Sequence, residues 1–283
     1  MSVVLVAVLG SALTGAAQVH PLGEGLYAYI SDNEASCNSV FLVGSDRILV
    51  VDTGFDAAAG EKLLRAISAI SALPVRYIVN THYHRDHQAA NGIVGPQADI
   101  FSTASTRART LELLQRDHGV GYRAATITTD KAEIYLHTKV GEQQVHLEFF
   151  GPAHTMGDLV VEFPAQKVVA TGDLFLNRSC PAMDRGSVLN WIHSLEQLLA
   201  TPAQTFVPGH FELGSRKDLQ RFYDYLATVR DQAARQVSAG TSWEQVRQRL
   251  DMRDYADFRQ FPNFHATFED NAHVLYTELT QNK

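Results

Sequence analysis

Short apolar runs broken by glycine and by charged clusters dominate most of the chain, and they read as strands alternating with helices. Residues 26–30, 40–43 and 48–51 are β-rich, with Gly44-Ser45-Asp46 as a turn between the last two. Leu63, Leu64, Ile67 and Ile70 then recur at helical spacing and predict one apolar helix face. Residues 75–79 form a buried strand that stops at the polar stretch 80–88, and a helix is expected over 103–115. Strands return at 145–150, 159–163 and 168–170, then a helix at 188–199 and a strand at 205–207. Phe222, Tyr225, Leu226 and Val229 mark a further amphipathic helix. Gly240 should end it, and Thr241 with Glu244 should form a capping box for the next. No linker, repeat or low-complexity tract divides the chain. The expectation is one α/β domain over 18–283 with a helical C-terminal portion.

Composition narrows the function. The chain has 283 residues with 45% hydrophobic and 19% charged, enough to bury a core and too apolar for wholesale disorder. Its formal net charge is −7 and no basic block stands out, which argues against a nucleic-acid partner. The two cysteines, Cys37 and Cys180, cannot build a disulfide framework or a cysteine-rich zinc module. Twelve histidines are many, and their placement matters more than their number.

Ligand-type side chains sit just past the ends of five predicted strands. They are Asp52, the cluster His82-Tyr83-His84-Arg85-Asp86-His87, His154, Asp173 and His210. Gly54, Gly151, Gly157, Gly172 and Gly209 flank them and let the loops turn sharply. Loops at one edge of a layered sheet are where such folds place their chemistry. Imidazole and carboxylate together suit zinc, manganese or iron. Alternate residues of an extended loop share a side, so His82 and His84 can grip one metal. Asp86 and His87, beyond the bend, can reach a second.

The segments Asp52-Thr53-Gly54, 82–87, His154-Thr155-Met156-Gly157-Asp158, Gly172-Asp173 and Pro208-Gly209-His210 resemble the metallo-β-lactamase superfamily in order and spacing. The resemblance covers roughly residues 25–215. It implies a four-layer αββα sandwich with a dinuclear centre of two Zn2+ (or iron or manganese) at one edge. By that analogy His82, His84 and His154 hold one metal, and Asp86, His87 and His210 hold the other. Asp173, in Gly-Asp-Leu-Phe, resembles the bridging aspartate of glyoxalase II-like hydrolases. Classical β-lactamases of the superfamily typically carry Cys or Ser there. The family's common Pro-Gly-His-Gly is here Pro208-Gly209-His210-Phe211, which puts the local loop shape in question.

The implied reaction is hydrolysis of a carbonyl bond (β-lactam, lactone, ester or thioester) in a small molecule by a metal-bridging hydroxide. Asp86 is the candidate catalytic residue, orienting the nucleophile and passing its proton to the leaving group. Asp52 and Asp158 are read either as acceptors that fix loops or ligand histidines, or as plain turn residues. Arg178 could pair with a substrate carboxylate, although a surface ion pair suits it better. Cys180 lacks a base pattern and reads as an idle buried thiol. Tyr83 and Phe175 could wall the pocket or simply pack. His118, His137, His146, His193, His265 and His273 receive no role. Rival functions are an iron-dependent persulfide dioxygenase, which shares these motifs but uses one iron, and a phosphodiesterase acting on RNA, which the acidic charge opposes. A flavin-linked diiron reductase is disfavoured because that group has Glu where His84 stands. A non-catalytic metal protein would need a blocked site, and no ligand of the pattern is missing.

The N-terminus reads as an address. No Asp, Glu, Lys or Arg precedes Glu24, residues 3–13 are apolar, and small residues follow at 14–17. The run is too short for a mature transmembrane span, which needs about 20 residues, but suits a secretory signal cleaved near Ala17. With Asp52 and the stretch 184–191, this resembles exported β-lactamase-like hydrolases and predicts a periplasmic or secreted protein without stable membrane insertion. N-terminal sequencing of protein from its natural host should therefore begin near residue 18. An intact Met1 on functional protein would end the export reading.

Overall fold

The computed structural model describes residues 17–116, 121–183 and 185–281. Residues 1–16 of the predicted signal segment 1–17, and His118, lie outside them. Strand β4 (Ile48–Val51) shows how the layers arise. Its side chains alternate: Leu49 and Val51 join the cluster between the sheets, while Ile48 and Val50 join a cluster on the outer face. With both faces covered, the run is apolar at every position.

The first sheet has the order β1 (Gln18–Gly23), β2 (Leu26–Ile30), β3 (Ser39–Val43), β4, β5 (Val75–Val79), β6 (Asp99–Ser102) and β7 (Ile127–Thr128). Pairing is antiparallel from β1 to β4 and parallel from β4 to β7. The second sheet contains β8 (Lys131–Thr138), β9 (Gly141–Phe149), β10 (Leu159–Phe163), β11 (Val168–Gly172), β12 (Thr205–Pro208) and β13 (Gly214–Ser215). Its order is β13-β12-β11-β10-β9-β8, with β11 and β12 parallel.

Leu26, Leu42, Leu49 and Val79 of one sheet meet Val145, Leu159, Phe163 and Val207 of the other. Helix α1 (Ala57–Ser68) covers the outer face of the first sheet through Leu63 and Ile67. Two one-turn helices, α2 (Arg85–Gln88) and α3 (Asn91–Val94), follow β5, and α4 (Ala104–Arg116) follows β6. The outer face of the second sheet is covered by α5 (Val188–Ala200), α6 (Arg216–Ser238) and α8 (Phe268–Gln281), with Trp191, Phe222, Tyr225 and Leu275 fully buried. The result is the expected αββα order.

Two local expectations fail. α1 stops at Ser68, so Ile70 lies past its end and is exposed. The cap of α7 (Trp243–Arg249) is Ser242 with Gln245, not Thr241 with Glu244; the chain runs on one residue after Gly240, at φ 68°, before it can turn into the helix. Strands β1, β6, β7, β8 and β13 were not anticipated. β8 buries only Ile134 and Leu136 and takes its form from pairing with β9. Among the described residues no helix is long and apolar enough to cross a membrane.

Phe163, fully buried between the sheets, tests the central layer. Phe163→Ala should lower the unfolding free energy by about 3–5 kcal/mol in urea denaturation, with an unchanged slope.

Candidate metal centre

All five anticipated positions lie directly beyond strand ends: Asp52 after β4, residues 82–87 after β5, His154 after β9, Asp173 after β11 and His210 after β12. Two of the parallel pairs, β4 with β5 in the first sheet and β11 with β12 in the second, end there, which brings loops of both sheets to one edge.

His84 Nδ1 lies 3.0 Å from His82 Nε2 and 3.0 Å from His154 Nε2. Asp173 Oδ2 is 3.5 Å from His154 Nε2. On the other side, His210 Nε2 lies 3.0 Å from Asp86 Oδ2, and His87 Nε2 lies 3.7 Å from the same oxygen. Asp173 Oδ1 faces this second group, 3.4 Å from His87 Nε2 and 3.8 Å from His210 Nε2. The seven residues thus form two sets of converging donors, each able to hold a metal ion, with one carboxylate between them.

Their fit to a cation has two physical supports. Ligand nitrogens about 2.0–2.1 Å from tetrahedral zinc stand about 3.3 Å apart, close to the spacing of the three histidines. His87 Nε2 and Asp173 Oδ1 are buried without a hydrogen-bond partner, an expensive arrangement unless something else satisfies them.

One carboxylate orients ligands in both sets. Asp52 Oδ2 accepts from His87 Nδ1 at 2.7 Å and from the Thr81 hydroxyl at 2.7 Å, while Oδ1 accepts from Thr81 N–H at 2.9 Å. Thr81 Oγ1, its proton given to Asp52, is an acceptor 3.1 Å from His82 Nδ1. Both histidines are therefore assigned the tautomer with hydrogen on Nδ1, which leaves each Nε2 lone pair facing the centre. His154 reaches the same state by donating from Nδ1 to Ala182 O at 2.9 Å. Asp52 does this from a left-handed backbone, φ 56°, that costs about 1–3 kcal/mol outside glycine. Asp158 behaves differently: it accepts from the backbones of Ala153 and Thr155 and from the Thr155 hydroxyl, so it fixes the loop that carries His154.

The electrostatics divide the site. Burial, then the neighbouring imidazoles, hold His82 well below the usual histidine range, and burial lowers His154, so both favour the neutral donor form. Around His87, burial is outweighed by Cys37, Asp52, Asp173 and Asp86, which hold its pKa well up; Asp173 does the same for His210. Burial would raise Asp86, but His87 and His210 bring it down to about 2. The field here is negative and suits a cation.

Glycine is required at two places. A Cβ on Gly209 would overlap the Asp173 carboxylate, and one on Gly172, at φ 51°, would lie 2.5 Å from Thr81 Oγ1. Residue 211, where the related motif has glycine, also takes a left-handed backbone as Phe211, φ 68°. Phe211 therefore holds a backbone conformation that residues with a Cβ adopt only under strain.

Sequence reasoning overlooked several supporting residues. Thr81 lies within the polar stretch 80–88, which gave it no role. Buried Asn38 donates to Pro208 O at 3.0 Å and Phe211 O at 2.8 Å, and nothing in its sequence context signals this. Asn80 and Asn91 brace the ligand loop from below through paired amide bonds of 3.0 and 2.8 Å, and Thr53 Oγ1 joins them at 2.9 Å. Tyr83 is buried beside the site, its ring 4.8 Å from that of His84. Phe175 does not: it is core, packed against Phe206 and Phe222. Arg178 is exposed, and its carbonyl pairs with Arg259 N–H at 2.9 Å. Cys180 is buried, and burial pushes its thiol up to about 12, so it is inert.

The model of the metallo-beta-lactamase superfamily matches residues 32–210. The chain belongs to that superfamily. Among relatives, the 2,4-dinitroanisole O-demethylase subunit alpha of Nocardioides sp. (strain JS1661) is 24% identical over 77% of this chain, and the match spans 63% of that subunit's length. A metallo-beta-lactamase of Chryseobacterium indologenes is 27% identical over 68% of this chain and 81% of its own. A probable hydroxyacylglutathione hydrolase of Schizosaccharomyces pombe is 28% identical over 61% of this chain and 63% of its own. The solved metallo-beta-lactamase from Pontibacter korlensis matches 75% of this chain and 99% of its own, with TM-score 0.62 and 20% identity, a likeness of fold. The fold is an enzymatic one, as expected of the sequence.

Asp52→Asn keeps the shape and tolerates the left-handed backbone, but its Nδ2 would face His87 Nδ1 and favour hydrogen on Nε2. Zinc affinity measured by chelator competition should fall about 10–100-fold. Unchanged affinity would separate Asp52 from the ligands.

Proposed function

We propose that this protein is a zinc-dependent hydrolase with a dinuclear centre. His82, His84 and His154 hold one cation, Asp86, His87 and His210 the other, and Asp173 lies between. The observation that carries this reading is Asp173 itself, whose two oxygens face different donor sets, Oδ2 toward His154 at 3.5 Å and Oδ1 toward His87 at 3.4 Å. A single mononuclear site would leave His87, Asp86 and His210 without a purpose for their convergence.

Cations bound there supply water that ionises near neutral pH and a Lewis acid for a carbonyl oxygen. The chain's own residues do the rest. Asp52 and Thr81 keep the imidazole lone pairs aimed inward, and Asn38 and Gly209 let the His210 loop approach Asp173. Asp86 is a quarter exposed, nearer solvent than the other carboxylates, so its oxygen not turned to His87 and His210 is the one placed to pass a proton to a leaving group. Tyr83 and His84 form one wall against which a small molecule would rest.

The family and its relatives support a class of substrate. A carbonyl compound attacked by water, such as a β-lactam, lactone, ester or thioester, fits the names of the lactamase and hydroxyacylglutathione hydrolase relatives. The demethylase relative adds an activated aryl ether to the candidates. Export to the periplasm or beyond rests on residues 3–17.

Purified protein should contain two zinc equivalents by elemental analysis and hydrolyse one member of a panel of β-lactams, lactones, thioesters, phosphodiesters and a nitroaryl ether. Asp173→Ala should lose the second equivalent first and reduce turnover by at least about 10–100-fold, because two close cations lose the negative charge between them. Full occupancy with near-normal turnover in Asp173→Ala would sink the bridging role. One tightly bound iron with oxygen consumption would replace hydrolysis by the dioxygenase reading.

A further inference from the structure

We infer that the C-terminal segment 258–266 is a positioning device for His210, acting through the strained backbone of Phe211. This rests on the reading of His210 as a ligand. The superfamily match ends at residue 210, so everything that restrains Phe211 from this side comes from chain beyond it.

Phe211 has φ 68°, a region that side chains with a Cβ avoid and that glycine enters freely. An aromatic residue stays there only if its surroundings overdetermine it. Its ring lies parallel to that of Phe261, with centroids 5.7 Å apart and planes 4° apart. The Arg259 guanidinium sits 4.5 Å over the same ring. Offset stacking and cation–π attraction both favour this sandwich.

The segment is itself anchored. Arg259 donates to Asn177 O at 3.1 Å and to Glu212 at 2.6 Å, and its backbone pairs with Arg178 and Cys180 at 2.9 Å each. Phe261 and Ala266 close a small antiparallel bridge at 2.9 and 3.2 Å. Asn177 donates to Leu213 O at 3.0 Å, so the loop after Asp173 and the loop after His210 are tied together where Arg259 holds both. The C-terminal segment therefore clamps the two loops whose side chains, Asp173 and His210, lie 3.8 Å apart. The stack substitutes for the glycine that the backbone geometry calls for.

A double-mutant cycle distinguishes this from ordinary packing. Phe261→Ala should weaken binding of the second zinc at least about tenfold in chelator competition, with the first unchanged. Phe211→Gly, which adopts φ 68° unaided, should bind as the wild type does. The double variant Phe211→Gly/Phe261→Ala should recover to within about threefold of wild type, a rescue that lost stability alone cannot produce. In metal-free protein, hydrogen exchange at the Gly209 amide, which donates to Gly172 O at 2.9 Å, should rise in Phe261→Ala and return in the double variant. Phe261→Leu, which keeps apolar bulk without a stacking ring, serves if Phe261→Ala does not fold. Wild-type zinc binding and exchange in the Phe261 variants, or no rescue by Phe211→Gly, would overturn the clamp. His210→Ala is the separate control: if it still binds two zinc equivalents as tightly as wild type, the ligand reading of His210 fails instead.

Discussion

The buried carboxylate of Asp52 is the interaction on which the site depends. It is 2% exposed, sits at the end of a central strand, and takes three hydrogen bonds from Thr81 and His87. An unpaired buried carboxylate would cost several kcal/mol, so its partners are not free to move. Because Thr81 in turn meets His82, one charge orients histidines in both donor sets. The strained backbone at Asp52 places that charge behind the ligands, where its negative field favours a cation without occupying a coordination position.

The two sheets give this carboxylate something to organise. Parallel pairs end at the same edge in both, so loops that are distant in sequence arrive side by side. Leu159 N–H at the start of β10 donates to Thr81 O at 2.7 Å, and Asn38 N–H donates to Gly209 O at 2.6 Å, binding loops across the sandwich. The apolar layer between the sheets fixes the spacing of the loops, and the polar layer at the edge fixes their orientation. Close packing makes that division possible, since displacing one strand end would shift several ligands at once.

The second half of the site is built with more strain than the first. His82 and His84 belong to one loop braced by the Asn80–Asn91 amide pair. His210 depends on Gly209, on a left-handed Phe211 and on chain from the far C-terminus. The chain between α7 and α8 thus does more than link two helices: Arg259 and Phe261 pack on a loop whose local residues do not by themselves favour its backbone.

How much of this was legible follows from how each feature is encoded. Central strands such as 26–30 and 48–51 were readable because burial on both faces leaves no charged residue in them, whereas 75–79 buries only Ile78 and Val79 and carries Arg76. The five strand-end ligand positions were readable because histidine and aspartate beside glycine have few structural uses. β8 escaped because it is a half-exposed partner of β9 with two buried residues, and the cap of α7 shifted by one because cap position follows backbone path rather than residue type. The sequence alone pointed to the layer architecture and the family, which the fold and the family match bear out, and it named the candidate donors. Only the tertiary structure decided their grouping around Asp173, the coupling of Asp52 through Thr81, the roles of Asn38 and Phe175, and the clamp on Phe211. Those are contacts between residues tens to hundreds of positions apart, and no local pattern records them.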